Sequence, residues 1–291
     1  SNLFLHRESW QGNATNPPSG GYTAKGSIEN AVENSQLLNG NLLATVTKQF
    51  GKLRTSLMVG TTFDDRNYRV QTAYGENVYL PEYNSLNNTD PVTQRTKYTQ
   101  RQQRLVSVLG NWNFNYDDIL ILTLTGRNDW SSTLPIANRS FFYPAASLAF
   151  NVSDLASLKG RLGPVDYLKL RASYGQTGRD APPYQVLSSL VPQTTTGGGF
   201  AYGFFGGNPN LKPERGESYE LGADLELYNG RIGLDFAYYN KTLSQQIVSQ
   251  RLSYGTGFIF GLVNGGSFNN RGVEIQLRGR PVKSADFGWD V

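Results

Sequence analysis

Apolar and polar side chains alternate in runs of about 10 to 14 residues, and this period of two constrains the 291-residue chain more than any other feature. From Val106 the even positions read Val106, Val108, Gly110, Trp112, Phe114 and Tyr116, against Ser107, Leu109, Asn111, Asn113 and Asn115. After Asp117-Asp118 the pattern resumes with Leu120, Leu122 and Leu124 opposite a mixed face of Ile119, Ile121, Thr123, Thr125 and Arg127. Leu53, Thr55, Leu57, Val59 and Phe63 oppose Arg54, Ser56, Gly60 and Thr62, and Leu168, Leu170, Ala172 and Tyr174 oppose Lys169, Arg171, Ser173 and Gly175. Tyr219, Leu221, Ala223, Leu225 and Leu227 oppose Glu220, Gly222, Asp224 and Glu226, and Val273, Ile275 and Leu277 oppose Glu274, Gln276 and Arg278. Asn229-Gly230, a two-residue hairpin signal, joins the Tyr219 segment to Ile232, Leu234, Phe236 and Tyr238.

Alternation alone does not say which face meets solvent. Three further features point to a membrane strand with its apolar face in lipid. The runs exceed the about five or six residues of a soluble strand and reach the roughly 9 to 11 of a tilted membrane strand. Aromatic residues gather at the ends of the apolar faces: Phe50, Trp112, Phe114, Tyr116 and Phe150 near one set of turns, and Phe63, Tyr219 and Tyr238 near the other. Connections alternate in length. Gly51-Lys52, Asp117-Asp118 and Asn229-Gly230 are tight, whereas 64–102, 129–140, 178–215 and 242–270 are expected to be long loops on one side. Residues 153–166 are expected to hold a brief helix capped by Ser153, with Leu155, Leu158 and Leu162 on one face. Before Leu42 the sequence reads as irregular, with a loop at Pro17-Pro18-Ser19-Gly20-Gly21; Leu3 to Leu5 fit the end of a preceding strand. About ten strands result, with a fresh start at Phe287 to Trp289, and no domain boundary.

Composition narrows the function. Without cysteine there is no disulfide framework, thiolate metal site or cysteine nucleophile. His6 is the one histidine, so a Ser-His-Asp triad would depend on it, and no calcium loop or His cluster exists. No cofactor and no enzymatic activity are expected. The 27 basic and 23 acidic residues are scattered rather than gathered on one face, which argues against nucleic acid. No apolar run approaches the roughly 18 residues of a membrane helix, so a spanning chain must form a closed antiparallel β-barrel. The chain opens on Ser1 without a leader, as a mature or internal piece would.

Several motifs resemble the SusC/RagA branch of TonB-dependent outer-membrane transporters. They are Leu168 to Gly178 (LKLRASYGQTG), Gly126 to Leu134 (GRNDWSSTL) and Asn138 to Phe150 (NRSFFYPAASLAF), with Phe150 where the branch frequently has Trp. Asn208 to Arg215 (NPNLKPER) is similar to a segment shared across the superfamily. The resemblance implies an all-β fold: a transmembrane antiparallel barrel of 22 strands, of which residues 1–291 supply about ten. The plug domain, the TonB box and the final aromatic-ended strand are missing from this stretch. It further implies a multi-pass outer-membrane protein in contact with lipid. It would import a glycan or oligopeptide with energy from TonB, under a SusD-like surface lipoprotein. A siderophore or vitamin receptor of the same superfamily, or a soluble carbohydrate-binding β-protein, are the alternatives.

Candidate binding residues follow from position. Trp130, Phe200, Tyr202, Phe204, Phe205, Tyr254 and Phe258 lie in or beside the long loops, six of them in the glycine-rich stretches 197–207 and 254–258. Their rings suit sugars, an apolar partner surface, membrane anchoring at Trp130, or packing within the barrel mouth. Arg54, Lys169, Arg171, Glu220, Asp224, Glu226, Glu274 and Arg278 are the candidate lumen-facing charges, expected to be mostly solvated or paired. In Asn208 to Arg215, Pro209 and Pro213 suit a rigid anchor leading into a strand.

Overall fold

The computed structural model describes residues 2–10, 26–80, 82–155, 158, 162–192, 197–280, 282–283 and 288–289. In chain order the strands are β1 (Asn2–Trp10), β2 (Ser27–Phe50), β3 (Leu53–Glu76), β4 (Arg95–Tyr116), β5 (Leu120–Ser131), β6 (Ser140–Asn151) and β7 (Val165–Arg179). The short β8 (Leu190–Pro192), β9 (Phe200–Tyr202) and β10 (Phe205–Gly206) come next, then β11 (Glu214–Leu227) and β12 (Ile232–Ser244). They are followed by β13 (Ile247–Arg251), β14 (Phe260–Asn264), β15 (Phe268–Gly279), β16 (Val282–Lys283) and β17 (Gly288–Trp289). Ten strands form one sheet in the order β1-β2-β3-β4-β5-β6-β7-β11-β12-β15. The fold is all-β, and among the described residues the pairs are antiparallel apart from one short parallel pair, β10 with β14.

The chain divides into two compact units, Ser1–Asn39 with Asp64–Arg104, and Gly40–Phe63 with Leu105–Val291. The first contains β1 and the loop-side parts of β2, β3 and β4. Here the structure corrects two sequence expectations: residues before Leu42 form strand from Ser27, and the connection expected at 64–102 shrinks to 77–94. The reason is visible in the pairs. Asn39 Nδ2 donates to Asp64 at 2.6 Å, Arg104 Nε lies 2.9 Å from Asp65, and Gln100 Nε2 donates to Asn67 at 3.3 Å. These strands are mostly polar, with apolar residues such as Ile28 and Ala31 buried at positions of opposite parity, so pairing holds them while no alternation marks them. The 77–94 connection closes on the buried amide of Asn88, which donates to the Leu80 and Tyr83 carbonyls at 2.8 and 2.6 Å.

In the second unit the tight turns form where glycine and Asx residues accept positive φ. Gly51 has φ 57°, Asp117 and Asp118 have 54° and 56°, and Asn115 Oδ1 accepts from the Asp118 amide at 2.9 Å. The expected two-residue turn at Asn229-Gly230 is instead a four-residue connection, with Tyr228, Asn229 and Gly230 all at positive φ and Arg231 N donating to the Leu227 carbonyl at 3.0 Å. The expected helix at 153–166 is a single 3-10 turn, Val152–Asp154, in its described part. The Pro17 to Gly21 loop lies outside the described residues. Loops 178–215 and 242–270 carry the short strands β8 to β10, β13 and β14.

Burial is inverted relative to a soluble sheet. On β4 and β5, Val108 is 51% exposed and Trp112 44%, while Ser107 is fully buried and Asp129 is 4% exposed. On β11, Leu221 is 58% exposed and Gly222 is buried. Leaving a large apolar side chain in water costs roughly 1.5–3 kcal/mol relative to burial, so these rows require a nonaqueous cover. Register shows how far that cover extends. One row of paired residues runs Trp112, Leu124, Ala146, Tyr174, Tyr219, Asn240, Arg271 across seven strands. It passes from wholly apolar to charged, so rows at right angles to the strands cut through membrane depth. Between β4 and β15 the polar boundary shifts by about eight residues on the loop side and about four on the turn side. With ~3.3 Å rise and ~4.8 Å strand spacing, this is a tilt of roughly 25–40°, near that of outer-membrane barrels.

An Arg in the middle of this band is expected to be depth-sensitive. Leu170→Arg should destabilise the full-length protein, refolded in lipid vesicles, by ~2–4 kcal/mol in a denaturant titration. Ser147→Lys on the opposite face should cost less than about 1 kcal/mol. Equal costs would contradict the assignment of faces.

Candidate functional site

The polar face of β5, β6, β7, β11 and β12 carries two charge networks. In the first, Arg127 Nε lies 2.7 Å from Asp129, and the same guanidinium donates to Ser107 Oγ at 2.7 Å. Tyr143 donates its hydroxyl to the second Asp129 oxygen. Arg127 and Asp129 are two apart on β5, so they share its face, and the β5–β6 register sets Tyr143 opposite Arg127. Sequence reading placed Arg127 on the mixed face but found no partner for it. The i, i+2 spacing in Gly126-Arg127-Asn128-Asp129 was the available signal.

In the second network Arg171 on β7 reaches Asp224 on β11 at 3.1 Å and Asp235 on β12 at 2.7 Å. It does so by lying across Gly222, its register partner. A Cβ at Gly222 would stand 2.7 Å from Arg171 Cγ and closer still to Nε. Glycine is therefore what lets one side chain on β7 bridge two strands. Arg171 and Asp224 were singled out from sequence; Asp235, on the same face of β12, was not. Beside them a shallow cavity of about 220 Å³ is lined by residues including Ser147, Ala149, Lys169, Ser173 and Glu220. Glu226, Glu274 and Arg278 share this polar face by register, through Gly233 and Ala237 of β12, and are not brought into either network. Arg54 lines a separate hollow with Gln49, Asn115 and Asp117. There Lys52 in the turn donates to Asp117 at 2.5 Å, and this hydrogen bond, with the carboxylate's charge, holds the Lys52 ammonium pKa above its ordinary value.

The loop aromatics fall into two groups. Tyr202 and Phe258 meet edge to face with centroids 5.0 Å apart, and Phe205 packs on Phe260 at 5.6 Å. The amides of Ile259 and Phe260 donate to the Phe204 carbonyl at 3.1 and 2.9 Å, fastening the two loops together. Phe200 and Phe204 project outward, about 70% exposed. Tyr254, equally exposed, lies under the Arg251 guanidinium at 5.3 Å from the ring centroid. Trp130 is apart from both groups: it pairs with Val106 on the exposed apolar face of the sheet.

These loops stand on a small knot tied by the Asn208 to Arg215 motif. Leu211 is fully buried with Leu134 and Ala181, against Phe141, Ile247 and Leu262. Asn208 Nδ2 donates to the Leu262 carbonyl at 2.9 Å, Asn138 Nδ2 to the Leu211 carbonyl at 3.0 Å, and Asn264 Nδ2 to the Lys212 carbonyl at 2.7 Å. Asp180 accepts from Ser131 and from Thr133 at the base. Among the described residues this is where apolar side chains are buried together, and it is the anchoring role read from the motif's two prolines. Asn138 opens one of the motifs quoted from the sequence, though with no role read for it there, and Asn264, from a different loop, carried no signal. Among the described residues no group of three His, Cys, Asp or Glu side chains could hold a metal ion.

Comparison with known proteins agrees with this architecture. The family described as TonB dependent receptor-like, beta-barrel matches residues 3–291. TonB-dependent receptor P26 of Formosa agariphila is 32% identical over 71% of this chain and 21% of its own length. TonB-dependent receptor SusC of Bacteroides thetaiotaomicron is 27% identical over 87% of this chain and 26% of its own. The chain thus spans about a quarter of the length of the curated relatives it matches. Among solved structures, the RagAB peptide transporter superposes with a TM-score of 0.81 at 19% identity, covering 98% of this chain and 32% of that one. The siderophore receptor PirA of Acinetobacter baumannii does so at 0.56 and 15%, covering 95% and 38%. At these identities the structural likeness is one of fold.

Two substitutions probe the site. Gly→Ala within a strand ordinarily gains up to about 1 kcal/mol; Gly222→Ala should instead lose about 1–3 kcal/mol in denaturant unfolding, because Arg171 is lifted off both carboxylates. Leu211→Ala should open the loop knot, seen as new protease cleavage within 180–211 and 245–264, while the sheet stays protected.

Proposed function

The chain belongs to the TonB-dependent receptor β-barrel family, and on that premise we propose that it is part of the wall of a transporter importing a large nutrient, a glycan or oligopeptide, across the outer membrane. Proteins of this family are outer-membrane transporters rather than enzymes. On this reading residues 1–291 lie within the barrel domain, and the polar face with Arg54, Lys169, Arg171, Glu220, Asp224, Glu226, Glu274 and Arg278 lines the lumen, against a plug from elsewhere in the protein. TonB supplies energy through that plug. A SusD-like surface lipoprotein covers the mouth, and the aromatics at Phe200, Tyr202, Phe204, Phe205, Tyr254 and Phe258 meet the lipoprotein or the nutrient. Trp130 then serves as a membrane anchor, since it shares a face with Leu120 and Leu124.

The observation that carries this reading is the inverted burial of the sheet, with leucine and aromatic rows outside and Ser107 and Asp129 inside. A soluble carbohydrate-binding sheet would bury the opposite face. Support for the SusC/RagA branch over a siderophore receptor comes from the 0.81 superposition on a peptide transporter against 0.56 on PirA, together with the likeness to SusC.

The test is affinity purification of the tagged full-length protein from its own membranes in mild detergent, followed by growth of a deletion strain on glycans, oligopeptides or ferric siderophores. The expected result is a co-purifying surface lipoprotein and a TonB-dependent growth defect on one glycan or peptide class. A barrel recovered alone, with a defect confined to iron supply, would assign it to the siderophore receptors instead.

A further inference from the structure

In the loop-side parts of β2, β3 and β4, side-chain pairs tell the two faces of the sheet apart. Gln102 and Arg104 on β4 reach Asp65 on β3 at 3.1 and 2.9 Å, and Gln100 reaches Asn67 at 3.3 Å. These five residues share one face. Side chains alternate along a strand, so Arg66, between Asp65 and Asn67, and Arg101, between Gln100 and Gln102, lie on the other. The same pairs set Arg66 and Arg101 level with each other on neighbouring strands. Tyr68, which hydrogen-bonds to Glu33 of β2 within reach of the Arg101 charge, belongs to this second face as well. So does Lys97, about 13 Å from Arg101 along β4 at ~3.3 Å per residue.

The acids of the second face are engaged, and these cations are not. Glu33 accepts from Tyr68, Asp64 from Asn39 at 2.6 Å, and Glu76 from Tyr74 and Arg95 at 2.8 and 3.4 Å. Glu29 lies level with Tyr74, away from Arg66, since Asn77 N donates to the Gly26 carbonyl at 2.9 Å. Arg66, Lys97 and Arg101 are exposed and make no ion pair among the described residues. Like charges directly opposite on adjacent strands, with Cβ atoms ~4.5–5.5 Å apart, destabilise the sheet. For Arg66 and Arg101 no described carboxylate offsets that repulsion. Two guanidinium groups at this spacing suit one shared oxyanion, which satisfies both.

We propose that this face binds an acidic glycan, a polysaccharide carrying sulfate or uronate groups. Arg66 and Arg101 hold one anion and Lys97 another along the polymer. The inference rests on the transporter reading and narrows its nutrient. The sheet itself favours a glycan over an acidic peptide. An extended peptide is ordinarily held by main-chain hydrogen bonds at a strand edge. The β4–β5 pairs begin at Leu105, so the edge open to such a strand is that of β4 beyond it. A peptide added there lies two strand spacings, ~10 Å, from Arg66. A ligand that engages Arg66 and Arg101 together lies across the face, where side chains alone meet it and its anions must project from its backbone. Separated cations favour a polymer, because the second contact is intramolecular once the first is made.

The test measures binding of fluorescent dextran, carboxymethyl-dextran and dextran sulfate of one chain length, and of poly-glutamate, to the full-length protein in detergent. The dextrans share a neutral backbone, so the stronger of the two anionic forms separates sulfate from carboxylate. The expected result is saturable binding of an anionic dextran, at least tenfold tighter than that of neutral dextran or poly-glutamate. Arg66→Gln/Arg101→Gln should weaken it at least tenfold and Lys97→Gln at least threefold. Arg69→Gln, which removes an exposed cation from the opposite face of β3, should leave it unchanged. Slower migration on heating, in electrophoresis, verifies that each variant is folded. Equal binding by the double variant, a matching loss in Arg69→Gln, or no binding of either anionic dextran would overturn the proposal. Tighter binding of poly-glutamate would overturn it in favour of an acidic peptide. All of these leave the import reading standing, which fails separately if the deletion strain's defect is confined to iron supply.

Discussion

Backbone amides in hydrocarbon have no water to bond, so every one must find a partner inside the protein. The ten-stranded antiparallel sheet follows from that constraint. Within that sheet β4, β5, β6, β7, β11 and β12 each have a paired neighbour on both sides, and the side chains are then free to sort by face. Leucine, valine and aromatic rows take the outside, and hydroxyl, amide and charged groups take the inside. Pro144 fits because the β6–β7 pairing begins only at Ala145, where no ladder bond from residue 144 to β7 is needed.

An inward polar face creates its own demand, since partly buried charges are costly unless paired. Arg127 with Asp129 and Tyr143, and Arg171 with Asp224 and Asp235, meet it across strands. The second cluster depends on an absent side chain: at Gly222 the missing Cβ opens the path for Arg171. Such networks stiffen a wall that has almost no apolar core of its own.

The loops solve the same problem differently. Away from lipid they can bury apolar groups, and they do so around Leu211. Asparagine amides from three loops close that knot by reaching backbone carbonyls, and β13 and β14 pack on it through Ile247 and Leu262, with β10 paired to β14. The exposed rings are thereby held in place rather than left on free loop tips.

Sequence alone determined the period, and through it the long strands of the second unit, the places where their tight turns fall, the apolar face and the family likeness. These are local properties: a two-residue repeat is written in neighbouring side chains. It did not reveal β2 from Ser27 or the loop-side halves of β3 and β4, because mostly polar strands without a regular alternation are held by partners such as Asp64, Asp65 and Asn67. Only the tertiary structure decided which side chains meet. Asp235 joins Arg171, Tyr143 joins Asp129, and Asn264 reaches Lys212 through register and loop closure. Register is a property of pairs of strands, and no single strand contains it.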